Sequence, residues 1–181
     1  MTVLTGCHTA DLTVEDRAAI RALLTDAFRG GPDGDFDDDD LEHALGGWHA
    51  LVHDGDALVG HGSVVRRQFL IAGRPLPVGY VEAVAVAPTH RRRGIGSLVM
   101  TELERVVTAG HGVGFLGASD DGAALYAARG WPVWRGPLHV MAPTGVERTP
   151  EEDGGVRVFD PAGSLDLDAE LVCEWRSGDV W

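Results

Sequence analysis

The first segment that could do chemistry is a loop rich in arginine and glycine, between a buried strand pattern and a helix pattern. It runs from Arg91 to Gly96, with three consecutive arginines and glycines at positions 94 and 96. N–H groups at a helix N-terminus lack intrahelical partners, and the helix dipole adds positive charge there. Glycines let a phosphate approach the backbone, and arginines add charge-assisted hydrogen bonds. The loop therefore predicts a pyrophosphate site. The alternative is a solvated basic turn.

Tyr126 is one of only two tyrosines, and by itself it is interpreted as a core residue at a helix end, with Gly130 as the C-terminal cap. Carboxylates are concentrated in Asp33–Glu42 and recur in the last residues of the chain. A ligand with many ammonium groups needs several of them, because one exposed ion pair contributes only about 0–1 kcal/mol. For Asp37–Asp39 the alternative is a solvated face.

Composition limits the classes of partner. The chain has 181 residues, 15 basic and 28 acidic, for a net charge of −13, and it contains no lysine. This balance disfavours nucleic-acid binding and anionic membrane surfaces, and favours a cationic ligand. With no visible signal peptide or membrane-spanning run, the sequence predicts a cytoplasmic protein. Cys7 and Cys173 are expected to be reduced, and the eight histidines show no metal-ligand spacing, so no metal is predicted.

The elements that must position these residues follow from periodicity and turn signals. Thr13 and Asp16 predict a capped helix from Val14 to about Phe28, and Asp38 or Asp39 could cap a short one that stops at Gly46-Gly47. Four strands of an antiparallel meander are then expected, at 50–52, 57–59, 63–71 and 75–86. After them the pattern predicts helices at 97–107 and 123–128, and strands at 113–116, 131–134, 156–159 and 171–173. The fold class is mixed α+β, with an antiparallel N-terminal meander and a parallel βαβ half, in a single domain spanning 1–181.

The loop also carries a family resemblance. Arg91-x-x-Gly94-x-Gly96 after a strand resembles the acyl-CoA loop of the GNAT superfamily of N-acetyltransferases, and the element order agrees. The segment from Leu125 to Trp131 resembles the superfamily's Leu-Tyr…Gly-Phe/Trp segment, in which the tyrosine protonates the departing thiolate. The resemblance implies the GNAT acyl-CoA N-acyltransferase fold, acetyl-CoA as cosubstrate and Tyr126 as general acid.

A narrower resemblance extends over nearly the whole chain. The sequence is similar to the aminoglycoside 2′-N-acetyltransferases of mycobacteria and related actinobacteria at Gly34–Phe36, Leu45–Leu51, Gly79–Glu82, Pro143–Gly145 and Trp175–Trp181. The closing Gly-Asp-Val-Trp is the most specific of these segments. The implied function is transfer of acetyl to the 2′-amine of aminoglycoside antibiotics, which confers resistance.

The same resemblance implies a role for each matched residue. Glu82 would be the general base, through water, and a backbone N–H of the Val84 strand would polarise the thioester carbonyl. The residues implied to bind acetyl-CoA are Val84, Ala85, Val86, Arg91, Arg92, Arg93, Gly94, Ile95 and Gly96. Those implied to contact the drug are Asp35, Asp40, Glu82, Ala83, Gly117, Glu151, Glu152, Asp179 and Trp181 with its terminal carboxylate. Gly117 stands where a serine can contact the drug, and Ala83 where glycine can occur.

Two other functions stay open. One is a GNAT acetyltransferase that acts on another polyamine, amino sugar or peptide amine. The other is a non-catalytic aminoglycoside-binding module, which the presence of Tyr126 and Glu82 argues against. A homodimer is possible by analogy with the fold.

Overall fold

The computed structural model describes residues 1–30 and 36–181. The strands are β1 (Thr2–His8), β2 (Trp48–Asp54), β3 (Ala57–Ile71), β4 (Arg74–Val86), β5 (Gly114–Gly117), β6 (Leu138–Ala142), β7 (Gly145–Arg148), β8 (Val156–Phe159) and β9 (Leu171–Glu174). The helices are α1 (Val14–Ala27), α2 (Asp38–His43), α3 (Ile95–Gly110) and α4 (Asp120–Ala128), with 3-10 turns at Thr9–Asp11, Pro88–His90 and Pro150–Glu152.

Side-chain caps begin the first two helices. The Thr13 hydroxyl accepts the Asp16 N–H, and the Asp16 carboxylate accepts the Thr13 N–H, which confirms the predicted start of α1. In α2 the N-cap is Asp37, because its carboxylate accepts the N–H groups of Asp39 and Asp40. The prediction of Asp38 or Asp39 as the cap was wrong by one or two residues, since any aspartate in this run could occupy the position.

The chain forms two compact units. The first comprises Met1–Val65 and Val81–Val106, in which β1, β2 and the start of β3 form successive antiparallel pairs. The Asp54-Gly55-Asp56 turn joins β2 to β3 as predicted. The core of this unit combines one face of α1 with β2 and β4, through Leu12, Ile20, Leu23, Leu24, Leu51 and Ala85.

Two glycines let α3 lie directly on β3. A Cβ at Gly60 would come within 2.5 Å of Ile95, and one at Gly62 within 2.8 Å of Val99 and 2.9 Å of Leu103. Positions 60 and 62 share a face of the strand, since side chains alternate along it. The pair therefore sets the distance between the strand and the helix that follows the arginine loop.

The second unit comprises Arg66–Tyr80 and Val107–Trp181. Its strands run in the order β7-β6-β9-β3-β4-β5-β8. β5 is parallel to β4 and β6 is parallel to β9, while β8 is antiparallel to β5. Its core is aromatic: the ring centroids of Phe69 and Phe115 lie 5.1 Å apart, and those of Phe115 and Trp134 5.7 Å apart.

The mixed α+β prediction is confirmed, with the antiparallel meander and the parallel β4–α3–β5 unit, but some elements differ. A strand at 131–134 was wrong: Pro132 has no N–H, and only Val133 forms an isolated bridge with Arg157. The predicted strands 57–59 and 63–71 form one continuous β3. The sequence prediction omitted β1, β6 and β7.

The described ion pairs between side chains use arginine as their permanent cation. Arg105 pairs with Glu102 at 2.7 Å, and Arg135 with Asp168 at 2.6 Å. Among the described residues, no helix is long and apolar enough to cross a membrane.

Candidate active site

The arginine loop folds into the predicted helix-terminal cradle. β4 ends at Val86, and α3 begins at Ile95. The backbone is left-handed at Arg92 (φ 62°) and at Gly94 (φ 81°), and the Leu98 N–H donates to the Gly94 carbonyl at 3.0 Å. Gly94 therefore occupies the N-cap, and the next N–H groups have no intrahelical acceptor. The three arginines are exposed around this turn. The arrangement suits a phosphate or pyrophosphate.

The cradle is anchored on both sides. Ile95 is buried, and the Arg91 guanidinium donates to the Ala27 carbonyl at the end of α1, at 3.2 Å. A cavity of about 250 Å³ adjoins the loop. It is lined by Thr2, Asp54, His90, Arg93, Gly94, Ile95 and Leu98. The loop is thus fixed to the first unit while its arginines remain open to a ligand.

The strand that precedes the loop is irregular where the predicted base lies. Ala83 has a φ of 52°, which costs a residue with a Cβ about 1–2 kcal/mol. Glu82, Ala83 and Val84 are half-buried, whereas Ala85 is in the core. The Ala83 carbonyl accepts a hydrogen bond from the His61 ring at 2.9 Å. β4 therefore turns locally between Glu82 and Val84, and a buried side chain holds the turn.

Of the two aspartates predicted to bind the drug in the first unit, one can be located. Asp35 lies outside the described residues. Asp40 is half-buried in α2, and its carboxylate accepts the Asp37 N–H at 3.0 Å. Leu41 of α2 packs against the same core cluster as Ala83. Asp40 thus stands on an element that shares a core with β4, and its carboxylate already serves a cap.

In the second unit, Tyr126 lies near the end of α4 and is 7% exposed. Its ring packs beside Trp131, with centroids 6.4 Å apart, and a Cβ at Gly122 would come within 2.8 Å of the ring. Burial raises the pKa of Tyr126 to about 12, and the positive charge of Arg157 acts in the opposite direction. The phenol is therefore protonated at neutral pH and can donate its proton.

The structure brings three of the predicted drug-contact residues together at the chain end. A Cβ at Gly117 would lie 3.4 Å from the main-chain carbonyl carbon of Trp181. The Asp179 carboxylate accepts the Trp181 N–H at 3.0 Å, and the Trp181 side chain is buried. Gly117, Asp179 and Trp181 therefore form one local cluster. A serine at position 117 would fit in ordinary contact with Trp181.

The tail also connects to the acidic 3-10 turn. The Trp181 indole N–H donates to the buried Thr149 hydroxyl at 2.9 Å. Pro150–Glu152 follow directly, with Glu151 exposed and Glu152 half-buried. The predicted contact residues Glu151 and Glu152 thus lie in a turn that directly follows Thr149, the residue hydrogen-bonded to Trp181.

Two arginines hold the tail, and sequence reasoning assigned neither of them a role. Arg67 is 3% exposed, lies 4.6 Å from the centroid of the Tyr80 ring, and donates to the carbonyls of Glu174 at 2.9 Å and Val180 at 2.8 Å. Arg176 donates to the Trp181 main-chain oxygen at 2.9 Å. The alternating apolar pattern of β3, in which Arg67 faces inward, was the signal for a buried cation.

The two cysteines have free thiols. Burial raises the pKa of Cys173 to about 11, and burial also raises the pKa of Cys7. The Cys173 thiol donates to the Val180 carbonyl at 3.4 Å. A thiol that stays protonated is a poor nucleophile, which agrees with a route without a cysteine intermediate. The described residues hold no group of three or more metal-ligating side chains.

Comparison with known proteins defines the family. Residues 9–134, more than half of the chain, match the family described as "Acetyltransferase (GNAT) domain". The chain belongs to the GNAT acetyltransferase family. This acetyltransferase is also 46% identical over 178 residues to a protein named "Aminoglycoside 2'-N-acetyltransferase" from Mycolicibacterium fortuitum. That alignment covers 96% of this chain and 89% of the relative.

Solved structures share the fold of this acetyltransferase at low identity. The GNAT family N-acetyltransferase (YhbS) from Escherichia coli, solved in complex with CoA, is 16% identical with a TM-score of 0.64, over 97% of this chain and 89% of the other. A GNAT family acetyltransferase from Brucella melitensis, in complex with acetyl-CoA, is 16% identical with a TM-score of 0.61, over 97% of each chain. These likenesses confirm the predicted GNAT fold.

Proposed function

We propose that this acetyltransferase transfers the acetyl group of acetyl-CoA to the 2′-amine of aminoglycosides, with antibiotic resistance as the consequence. The observation that carries the proposal is the 46% identity, over 96% of the chain, to a relative with that named activity. The net charge of −13 agrees with a polycationic substrate. A cytoplasmic location and a homodimer stay predictions from the sequence.

Acetyl-CoA would supply a thioester already activated for attack by an amine. The first N–H groups of α3 and the exposed Arg91, Arg92 and Arg93 suit its pyrophosphate, because they combine backbone donors with permanent positive charge. Val84 and Val86 follow the left-handed turn of β4, and their N–H and C=O groups are assigned to the pantetheine. Ala85 in the core fixes this short strand segment, and Gly96 permits close approach of a phosphate.

Glu82 is assigned the role of base. Aminoglycoside amines are protonated at neutral pH, and the proton must leave before nitrogen can attack. The half-buried Glu82 carboxylate takes this proton through a water molecule. The Val84 N–H donates to the thioester carbonyl oxygen as negative charge develops there.

Tyr126 is assigned the role of acid. Its phenol, protonated across the neutral range because its pKa is about 12, donates to the sulfur as the C–S bond breaks. Recognition of the drug is assigned to carboxylates that surround its ammonium groups. They are Asp35, Asp40, Glu82, Glu151, Glu152, Asp179 and the terminal carboxylate of Trp181, with Ala83 and the backbone of Gly117 as further contacts. Several such pairs are needed, because each exposed pair contributes about 0–1 kcal/mol.

The test is release of CoA thiol from acetyl-CoA with two matched drugs. Kanamycin B carries a 2′-amine and kanamycin A a 2′-hydroxyl. We expect rapid release with the first and little with the second. Equal N-acetylation of both drugs would assign the reaction to another amine, and binding of drug without thiol release would favour the non-catalytic binding module.

A further inference from the structure

Two histidines that the proposed chemistry does not use are buried in the first unit. His49 on β2 and His61 on β3 are both 0% exposed. Burial lowers the pKa of His49 to about 3 and that of His61 to about 4, so both rings are neutral at neutral pH. Electrostatic repulsion from His61, Arg17 and His8, in that order of size, also lowers the pKa of His49. A neutral imidazole has one donor nitrogen and one acceptor nitrogen, so each ring contact has a direction.

The direction is fixed at Ala83. Its carbonyl oxygen can only accept, so the His61 Nδ1, 2.9 Å away, carries the hydrogen. The His61 Nε2 is then an acceptor, and the His49 Nδ1, at 3.0 Å, donates to it. The His49 Nε2 is left as an acceptor for the Thr9 hydroxyl, at 2.7 Å. Both rings must therefore be Nδ1–H tautomers.

The Thr9 end agrees with this direction. The Thr9 oxygen accepts the N–H groups of Gly46 at 2.9 Å and Gly47 at 3.1 Å, which fills its two lone pairs. Its hydrogen can go to the His49 Nε2 at 2.7 Å or to the Gly47 carbonyl at 3.1 Å. That carbonyl already accepts the Thr9 N–H at 2.9 Å. We call the sequence of bonds from the Thr9 hydroxyl through His49 and His61 to the Ala83 carbonyl the histidine chain.

We infer that the histidine chain is a positioning device that holds Ala83 in its left-handed conformation and thereby directs Glu82. This inference rests on the proposed function for the role of Glu82. A residue with a Cβ disfavours a positive φ, so neighbouring contacts must hold it there. The peptide planes on both sides of Ala83 set where the Glu82 side chain leaves the strand and where the Val84 N–H points.

A pair of histidines that merely fills the core would have no such requirement. It could adopt either tautomer, and replacing one ring by an apolar side chain of similar size would leave the reaction unchanged. The histidine chain, by contrast, fails if either ring is protonated. Protonation of His61 would place two N–H groups face to face between His49 and His61, and protonation of His49 would place an N–H against the Thr9 oxygen, whose lone pairs are already used. It should therefore persist unchanged from about pH 5.5 to 8.

The first experiment needs no substrate. Long-range ¹H–¹⁵N correlation spectra of the imidazole nitrogens, recorded on the full chain from pH 5.5 to 8, identify the tautomers of His49 and His61. We expect Nδ1–H on both rings with no titration, whereas free histidine prefers Nε2–H and titrates near pH 6.5. An Nε2–H form on His61, or titration of either ring in this range, would overturn the inference.

The second experiment measures steady-state acetylation of kanamycin B. His61→Leu removes the donor to Ala83, whereas His61→Asn keeps an N–H near the position of Nδ1. We expect kcat to fall about tenfold or more in His61→Leu, with the KM for acetyl-CoA changed less than the kcat, and to recover most of its value in His61→Asn. Ser63→Ala, at a buried position on the same strand, is the matched control and should keep the wild-type kcat. Equal kcat in His61→Leu and wild type would contradict the inference.

A variant at the accessible end covers the case in which His61→Leu does not fold. Thr9→Val removes the hydroxyl, and Thr9→Ser keeps it. We expect Thr9→Val to shift the ring nitrogen signals of His49 and to lower kcat, and Thr9→Ser to do neither. Identical spectra and identical kcat values in the two variants would contradict the inference.

The failure of this inference differs from the failure of the proposed function. A wild-type protein that acetylates no aminoglycoside would contradict the proposed function, whereas an Nε2–H tautomer of His61 would contradict this inference.

Discussion

Tyr126 combines burial with a pKa of about 12, and this combination sets what the residue can contribute. A thiol has a pKa near 8.5, several units below that of this phenol. Complete proton transfer from Tyr126 to a free thiolate is therefore unfavourable. Tyr126 therefore acts best while the C–S bond is still breaking, as a donor to a partly charged sulfur. The positive charge of Arg157 lowers the pKa of Tyr126 and assists that donation.

Replacing this phenol tests the assignment. We expect Tyr126→Phe to lower kcat about 10²-fold, within the range for general acid catalysis, and to leave the Kd of acetyl-CoA nearly unchanged. Because the pKa is about 12, the wild-type rate should show no loss from ionisation of Tyr126 below about pH 10. Steady-state kinetics and isothermal titration provide the measurements. Tyr80→Phe, which keeps the other tyrosine ring, is the control, and equal turnover in Tyr126→Phe would remove the residue from the mechanism.

The buried histidines make a second prediction at this scale, for stability against pH. The pKa values of His49 and His61 are lowered on folding, so the unfolded chain binds more protons below pH 6.5. Stability is then complete above pH 6.5 and falls as the pH decreases, until each ring protonates in the folded state, at about pH 4 for His61 and about pH 3 for His49. Urea unfolding should show a loss of about 2–4 kcal/mol between pH 7.5 and 5. The double variant His49→Asn/His61→Asn should show a flatter slope, and an unchanged slope would contradict the cause.

At the scale of elements, Gly62 gives the sharpest prediction. A Cβ there would lie 2.8 Å from Val99 and 2.9 Å from Leu103, so Gly62→Val forces α3 away from β3. We expect a stability loss of about 1–3 kcal/mol and a raised KM for acetyl-CoA, because the helix carries the anion cradle at its start. Gly110→Ala is the control, since a Cβ at the end of the same helix meets nothing within 4 Å. Chemical denaturation and kinetics measure both effects. A wild-type KM for acetyl-CoA in Gly62→Val would show that the packing of α3 on β3 does not position the anion cradle.

The elements also show what the sequence could predict. Local features were predictable, because each depends on residues close together in the chain. They are the cap of α1, the β2–β3 turn and the arginine loop. The strand expected at 131–134 failed because apolar residues on both sides of Pro132 fit a strand and a buried aromatic loop equally well. The short hairpin β6–β7 was missed because Gly145–Arg148 is exposed throughout and has no apolar face.

For the candidate site, the sequence predicted which residue types take part but not how they are arranged in space. The family motifs indicated Tyr126 and the arginine loop, but the tail depends on Arg67, which is more than 100 residues from Val180 in the sequence. Likewise, the hydrogen bond from His61 to the Ala83 carbonyl joins two strands and depends on an unusual backbone angle. No local pattern reports such contacts, because they depend on which strands become neighbours.

The whole molecule carries an excess of negative charge, from which we predict how salt affects substrate binding. A net charge of −13 should attract a polycationic drug over a distance that salt shortens. We expect the KM for kanamycin B to rise several-fold between about 20 and 300 mM sodium chloride. The KM for kanamycin B is measured at each salt concentration from the rate of CoA thiol release, at a constant acetyl-CoA concentration. A substrate amine with a single charge is the control, and an equal salt effect on it would argue against electrostatic recognition.

The arginine-only ion pairs have a chemical consequence for an enzyme that handles acetyl thioesters. An unprotonated amine attacks such a thioester, but a guanidinium keeps its proton at any pH the fold tolerates. Because the sequence has no lysine, no side chain can be converted to an amide by the reagent that the protein is proposed to bind. The pairs of Arg105 with Glu102 and of Arg135 with Asp168 are thus resistant to self-acetylation during long exposure to acetyl-CoA.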